Sequence, residues 1–159
     1  MATPTYDLLE SVTLTATASS VTFSSIDQSY GDLILTVAGV GVGGTNYFRC
    51  RLNGDTGTNY YLVNMFGEGS DFTSISGSDD NIPYGNLSTT GGSFTAQLFD
   101  YTATDKHKSL LVRSGSGDVR LGAFACRWAS TSAVTSIELY SSGTGAAAAS
   151  TFNLYGVAK

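Results

Sequence analysis

The chain has 159 residues, the size of one ordinary domain, and a net charge of -5 with only 8 Lys and Arg residues. We expect a single domain, residues 1–159, because a chain of this length buries roughly two-thirds of its unfolded surface without disulfides or metals. Scarce positive charge argues against nucleic acid and anionic membranes as partners, since both are held by clustered Lys and Arg.

Targeting and membrane signals are not evident in the sequence. No window approaches the roughly 18 consecutive apolar residues of a membrane span. The start, MATPTYDLLE, lacks the basic region that precedes the apolar core of a secretion signal. We therefore expect synthesis and folding in the cytoplasm.

The composition favours strands, because Gly, Ser and Thr are abundant and only 13% of the residues are charged. Short runs of alternating apolar and polar residues recur along the chain, separated by Gly, Ser, Asn and Asp, which is typical of a β-sandwich or barrel. No stretch shows the 3.6-residue period of a helix. The predicted strands, in chain order, are 8–16, 20–25, 32–39, 46–53, 59–66, 94–100, 108–113, 119–129, 133–141 and 151–158.

The alternation also predicts the core, because side chains two apart on a strand share a face. Cys50 falls in the apolar row 48–52, and Cys126 falls in the row 124–128. We interpret both cysteines as small buried hydrophobic residues, the usual environment of a free cysteine. The same reasoning places Trp128 in the core.

A turn is predicted within the stretch RCRLNGDTGTNYYLVNMFGEGS, residues 49–70. Asn53-Gly54 lies where one predicted strand ends and the next begins, and this pair tolerates the positive φ angles of a tight turn. A phosphate-binding loop would open a helix and carry a lysine. Because the residues that follow, NYYLVNMF, predict a strand, we predict a β-hairpin.

Residues 67–93 interrupt the strand pattern. They are polar, contain Pro83 and several glycines, and are predicted to form a long irregular loop; such loops are usually functional or disordered. The apolar residues within the loop indicate packing either on its own domain or on a neighbouring protein. We take as candidate partner-contact residues Phe72, Ile82 and Tyr84.

Residues that could carry catalysis or bind a metal form no recognisable constellation. The single histidine, His107, lies in the hydrophilic stretch TATDKHKS and is interpreted as solvated. Together with Cys50 and Cys126 it lacks the ligand spacing of a zinc site. The neighbouring Asp79 and Asp80 match neither a glycosidase pair nor a calcium loop, although calcium is the better of these two alternatives. We expect no cofactor, no metal and no enzymatic activity.

Several segments, taken in order, carry a resemblance to a known family. They are VTLTATASSVTFSSI with YGDLIL, RLNGDTGTNY, DYTATDKHKSLLVRSG, RWASTSAVTSIELYSSG and STFNLYGV. This order is similar to that of a family of tailed-phage virion structural proteins, over nearly the whole chain apart from 67–93. The resemblance implies an all-β fold, an antiparallel β-sandwich of jelly-roll type, and no catalytic residues.

Two roles follow from the resemblance. The first is a capsid decoration (cement) protein, a homotrimer that is made in the host cytoplasm and binds the major capsid protein on the outer surface of the virion. The second is a tail or fibre component that binds a host surface glycan through aromatic side chains. The short segment MATPTY before the first strand favours the first role. Candidate stacking residues for the second role are Tyr60, Tyr61, Tyr84 and Trp128.

Overall fold

Twelve β-strands form the regular structure of the residues that a computed structural model describes, 5–117 and 120–159. In this part of the chain no helix is long and apolar enough to span a membrane. The strands are β1 (Tyr6–Thr13), β2 (Ser20–Phe23), β3 (Asp32–Gly39), β4 (Asn46–Leu52), β5 (Tyr60–Glu68), β6 (Asp71–Asp79), β7 (Ile82–Leu87), β8 (Gly92–Phe99), β9 (Lys108–Ser116), β10 (Arg120–Trp128), β11 (Ile137–Ser141) and β12 (Thr151–Val157).

The strands form two antiparallel sheets of unequal size. The larger sheet has eight strands in the order β1-β12-β3-β8-β9-β10-β5-β6, and the smaller has four in the order β2-β11-β4-β7. Their inner faces enclose one hydrophobic core. The predicted fold class, an antiparallel β-sandwich of jelly-roll type, is therefore confirmed.

The core follows from the two-residue alternation of the strands. In β3, Leu33, Leu35 and Val37 are buried, whereas the residues between them face outward. Phe48 of the smaller sheet packs at 6.0 Å, between ring centroids, against Phe94 of the larger sheet. Full burial of a large apolar side chain contributes about 1.5–3 kcal/mol, so these inward rows hold the two sheets together.

Both cysteines lie in this core. Cys50 of β4 and Cys126 of β10 are free and buried, as predicted. Burial raises the pKa of Cys126 to about 12 and raises that of Cys50 as well. Because the thiolate is the reactive form of cysteine, both thiols are chemically inert in the folded protein.

We therefore predict that neither thiol of the native protein reacts with an aromatic disulfide reagent on the timescale on which the guanidinium-denatured protein reacts completely. The released chromophore measures the reaction directly. Rapid, stoichiometric reaction of Cys50 or Cys126 in the native protein would contradict their placement in the core.

The Asn53-Gly54 turn forms, but the predicted hairpin is wrong. Asn53 and Gly54 have positive φ angles of 53° and 67°, and the Asp55 N–H donates to the Leu52 carbonyl at 3.0 Å. However, β4 belongs to the four-stranded sheet and β5 to the eight-stranded sheet, so the connection arches between the sheets. The same alternating sequence pattern is compatible with a hairpin within one sheet and with an arch between two sheets. Core packing selects the arch, because Leu52 and Tyr60 are both buried between the sheets.

Asp55 holds this arch together. Its carboxylate accepts hydrogen bonds from Trp128 Nε1 at 2.7 Å, the Gly57 N–H at 2.8 Å and Asn59 Nδ2 at 2.9 Å. Burial opposes ionisation of Asp55, yet these three donors lower its pKa below the ordinary value. The Tyr60 ring stacks on Trp128, whose predicted burial is confirmed. The stretch is therefore a structural connection.

We predict that Asp55→Asn lowers the free energy of unfolding at pH 7 by about 1–3 kcal/mol, because an amide oxygen replaces a charged acceptor of several hydrogen bonds. Since the folded pKa of Asp55 is depressed, its stabilisation exists above its ordinary pKa and disappears as the pH falls through the folded value. Urea denaturation at neutral and acidic pH should show the wild-type and variant curves converging in acid.

The matched control is Asp105→Asn, which changes an exposed acid in a loop. This control should cost little at either pH. An Asp55→Asn deficit that stays constant between neutral and strongly acidic pH would show that the arch does not depend on the ionised carboxylate.

The predicted irregular loop at 67–93 is also wrong. It contains β6 and β7 and the first residues of β8. β6 lacks apolar alternation because it lies at the end of the larger sheet and is exposed on both faces. β7 contains Pro83, which the pattern treats as a breaker; proline is tolerated in an edge strand, and β7 is the last strand of its sheet.

Smaller differences affect other strand ends. The predicted strand 133–141 begins only at Ile137, because Asn53 Oδ1 accepts the backbone N–H groups of Thr135 and Ser136 and so diverts them from pairing. Val119, the predicted first residue of another strand, lies outside the described residues, as do residues 1–4 of the segment before β1.

Candidate functional site

The outer face of the larger sheet exposes a patch of apolar side chains. Strand register brings residues of β9, β10, β5 and β6 into rows on this face: Leu111, Ala125, Val63 and Ser76 form one row. We call the patch the apolar face and define it by side chains that are 45% to 72% exposed: Tyr61, Val63, Met65, Phe72, Leu111 and Leu121.

Small residues in the middle strand shape the surface of the apolar face. Ala123 and Ala125 lie on β10 between larger side chains of β9 and β5. As a result, a shallow open depression of about 740 Å³ lies around Ala125, Val63 and Leu111. A second depression of about 440 Å³ lies around Ala123. These troughs can receive apolar side chains from another molecule.

Positive charge borders the apolar face. Arg113 lies in one row with Ala123 and Met65, and Arg127 lies in another with Tyr61. The Arg127 guanidinium is 4.4 Å from the centroid of the Tyr61 ring, a cation–π distance. The ion pairs formed by the described residues are Arg51–Asp80, Lys106–Asp100 and Arg120–Glu68, so both bordering arginines keep their charge available on an acidic chain.

The three candidate contact residues separate in the structure. Phe72 lies on β6 and is part of the apolar face, with 72% of its surface exposed. Ile82 and Tyr84 are buried in β7, and the Tyr84 ring packs edge-on against Phe94 at 5.8 Å. The prediction that Ile82 and Tyr84 contact a partner is therefore wrong, because both residues lie in a strand rather than a loop and their side chains are buried in the core.

The predicted stacking residues are corrected in the same way. Tyr60, Tyr84 and Trp128 lie in the core, and only Tyr61 reaches the surface. His107 is exposed, as predicted. Three of the four predicted stacking residues therefore serve core packing.

Sequence analysis missed most of the apolar face, although a signal for it existed. The β5 sequence YYLVNMF has apolar residues at both its inward and its outward positions, whereas a strand with one face in water alternates apolar and polar residues. Val63 and Met65 occupy positions where a polar residue is expected. An apolar residue at an outward position predicts either a second layer or a partner.

Acidic residues near β6 serve local structure. Asp80 forms an ion pair with Arg51 at 2.7 Å, and the hydrogen bond from the Asn81 side chain, together with Arg51, lowers the pKa of Asp80 below the ordinary value. Across residues 5–117 and 120–159, no cluster of three or more His, Cys, Asp or Glu side chains is arranged to hold a metal ion. Among the described residues, therefore, no such cluster includes Asp79 and Asp80, the residues considered as calcium ligands.

Comparison with known proteins yields likeness in architecture alone. No model of a protein family matches the chain, and no curated protein matches it. Among solved structures, galectin LEC-6 from Caenorhabditis elegans is 11% identical, with a TM-score of 0.38 and coverage of 94% of this chain and 96% of that one. Alginate lyase Aly36B is 11% identical, with a TM-score of 0.38 and coverage of 92% and 78%. The homodimeric agglutinin CG-16 from chicken liver is 9% identical, with a TM-score of 0.35 and coverage of 84% and 98%. At these values the likeness carries no information about ligands.

Proposed function

We propose that this protein is a phage virion structural protein, a capsid decoration (cement) protein that binds the outer surface of the head and stabilises the shell. The observation that carries the proposal is the apolar face, supported by the resemblance of the sequence segments to tailed-phage virion proteins. The role is structural rather than catalytic. The partner is the major capsid protein, and the functional unit is a homotrimer.

The apolar face supports a binding role because soluble monomers rarely expose large contiguous apolar patches without a use for them. Val63, Met65 and Leu111 are about half exposed in this chain and would lose water contact under a partner. The bordering Arg113 and Arg127 orient the partner on this face by pairing with its hydrogen-bond acceptors. A partner that supplies apolar side chains and carboxylates fits both features.

Stabilisation of a shell requires only modest affinity at each site. A ligand that binds the assembled state and not the dissociated state shifts the equilibrium towards assembly by mass action. Because many copies bind one shell, weak individual contacts add to a large total. A compact sandwich with its core complete brings a preformed surface to this interaction, so little ordering cost opposes binding.

The carboxylates with lowered pKa also support a structural role. Asp55 ties the arch, Asp80 pairs with Arg51, and Asp100 pairs with Lys106 at 2.8 Å. Hydrogen bonds or ion pairs with these neighbours lower the pKa of each carboxyl group and so favour its ionised form. These acids stabilise turns and strand ends.

The alternative role, a tail or fibre component that binds a host glycan, is favoured by one specific observation. Ser109, Arg127, Tyr61 and Ser78 form a single row across four strands, and hydroxyl, guanidinium and aromatic groups together suit a sugar. This row shares Tyr61 with the apolar face, so the two roles compete for one surface.

We predict that Val63→Asp lowers binding of the protein to capsids stripped of it by at least about tenfold, because a charge would be buried against the partner. Co-sedimentation at increasing protein concentration measures the affinity.

Light scattering of the free protein should give three times the mass of one chain. The number of copies bound per capsid at saturation should equal the number expected for trimers at one class of symmetry axis of the shell.

The matched control is Val40→Asp. Val40 is 43% exposed and Val63 is 48% exposed, but Val40 lies outside the apolar face. Thermal melts of both variants verify that each folds. Equal capsid binding by the wild type and Val63→Asp would overturn the assignment of the apolar face. Absence of any capsid binding, together with specific binding on a glycan array that Arg127→Ala abolishes, would replace decoration with the fibre role.

A further inference from the structure

Within residues 5–117 and 120–159, β6 is an end strand whose second edge has no partner strand. It pairs with β5 along all nine residues and ends the eight-stranded sheet. Eight of its nine residues are exposed, because the four-stranded sheet does not cover it. Phe72 projects from the outer face, and Ile75 projects from the inner face with 48% of its surface exposed. A strand laid along this edge would gain contacts on both faces.

The other three sheet edges formed by the described residues carry protection against such pairing. β1 has a register shift between Leu8 and Glu10 and carries the charged Asp7. β2 has only four residues, and β7 contains Pro83 and pairs with β4 through an irregular register. Bulges, charges, proline and short length are the usual devices that keep edges unpaired.

β6 has none of these devices along its centre. Residues 72–78 read FTSISGS, with neither a charge nor a proline, and the pairing of the strand with β5 is regular throughout. An edge with this sequence is competent to accept a further strand through its free backbone N–H and C=O groups. The contrast with β1, the opposite edge of the same sheet, shows that the fold protects one edge and leaves the other open.

The two ends of β6 are acidic. Asp71 and Asp79 are its first and last residues, Glu68 lies opposite Asp71 on β5, and Asp80 follows Asp79. Two cations near these ends are engaged in ion pairs, since Arg120 pairs with Glu68 and Arg51 pairs with Asp80. Arg127 lies over the Tyr61 ring on the outer face, whereas Asp71 and Asp79 share the inner face with Ile75. A strand that pairs along the whole edge therefore meets negative charge at both of its ends.

This charge pattern discriminates between partners. In a second copy of the chain paired antiparallel about Ile75, Asp71 of each chain would face Asp79 of the other, and like charges directly opposite are destabilising. A parallel pairing would also place acid beside acid. Opposite charges at both ends would instead stabilise the added strand.

We propose that β6 accepts an extended segment of another protein, which adds a ninth strand to the larger sheet and carries Lys or Arg at both ends of a short uncharged centre. Main-chain hydrogen bonds supply the pairing, the basic ends set the register against Asp71 and Asp79, and Phe72 and Ile75 pack on the two faces of the added strand. This inference stands independently of the capsid role.

The first experiment measures the charge requirement with a nine-residue probe, an end-capped peptide of alternating Val and Thr between two terminal lysines. Fluorescence anisotropy should show it binding at least about tenfold more tightly than the same peptide with terminal glutamates. The preference should decrease with added salt. The double variant Asp71→Lys/Asp79→Lys should reverse it.

The matched control is Asp7→Lys/Glu10→Lys, which makes the same change of net charge at the β1 edge. This control should retain the preference of the wild type for the lysine peptide. If both double variants shift the preference equally, the peptide senses only net charge and the proposal fails. Because Asp79 also accepts hydrogen bonds from its own turn, Asp71→Lys alone and a thermal melt serve as the folding check.

The second experiment tests strand pairing itself. Two versions of the lysine peptide carry N-methyl groups on alternate residues, one version methylated at the odd amides and the other at the even amides. Methylation should abolish binding only when the methylated amides are those that face β6, because a strand added to a sheet edge donates hydrogen bonds to its neighbour from every second amide. Equal binding of both versions would overturn strand addition. If the free protein is a dimer that Ile75→Lys converts to a monomer, the β6 edge is occupied by a second copy of the chain, and the proposed partner is wrong.

Discussion

The two sheets are unequal in size, and this inequality sets the environment of the core, of the sheet edges and of the apolar face. Four strands cover only part of a sheet of eight, so the core is confined to the overlap of the two layers and the end strand β6 has no second layer. β6 is exposed on both faces for this reason. The strands of the overlap are buried on one face only, and the apolar side chains on their other face form the apolar face together with Phe72 of β6.

Polar chemistry inside the molecule is used to hold connections. Asp55 binds Trp128 across the arch, and Asn53 binds the segment before β11. Lys108, which is fully buried, donates to the carbonyls of Ala103 and Lys106 at 2.6 and 3.0 Å, and its desolvation lowers its pKa. Buried polar groups of this kind require partners, and each of these has them within the fold.

Sequence reasoning succeeded where alternation and burial coincide. The inward positions of β3, the burial of Cys50 and Cys126, and the Asn53-Gly54 turn all follow from local pattern. It failed at 67–93, where β6 has serines at alternate positions in place of apolar residues and β7 carries Pro83 at an edge. In both strands the environment is set by a position at the end of a sheet, which local pattern does not encode.

Local sequence pattern is sufficient to predict many short antiparallel strands around an apolar core, because a two-residue period allows only one face of each strand to be buried. Which strands share a sheet follows from the packing of the two layers, since β4 and β5 have the pattern of a hairpin and yet belong to different layers. The same packing leaves Phe72 in solvent and buries Ile82 and Tyr84 in the core. Exposure depends on which layer covers a strand, and that cover comes from residues distant in the chain.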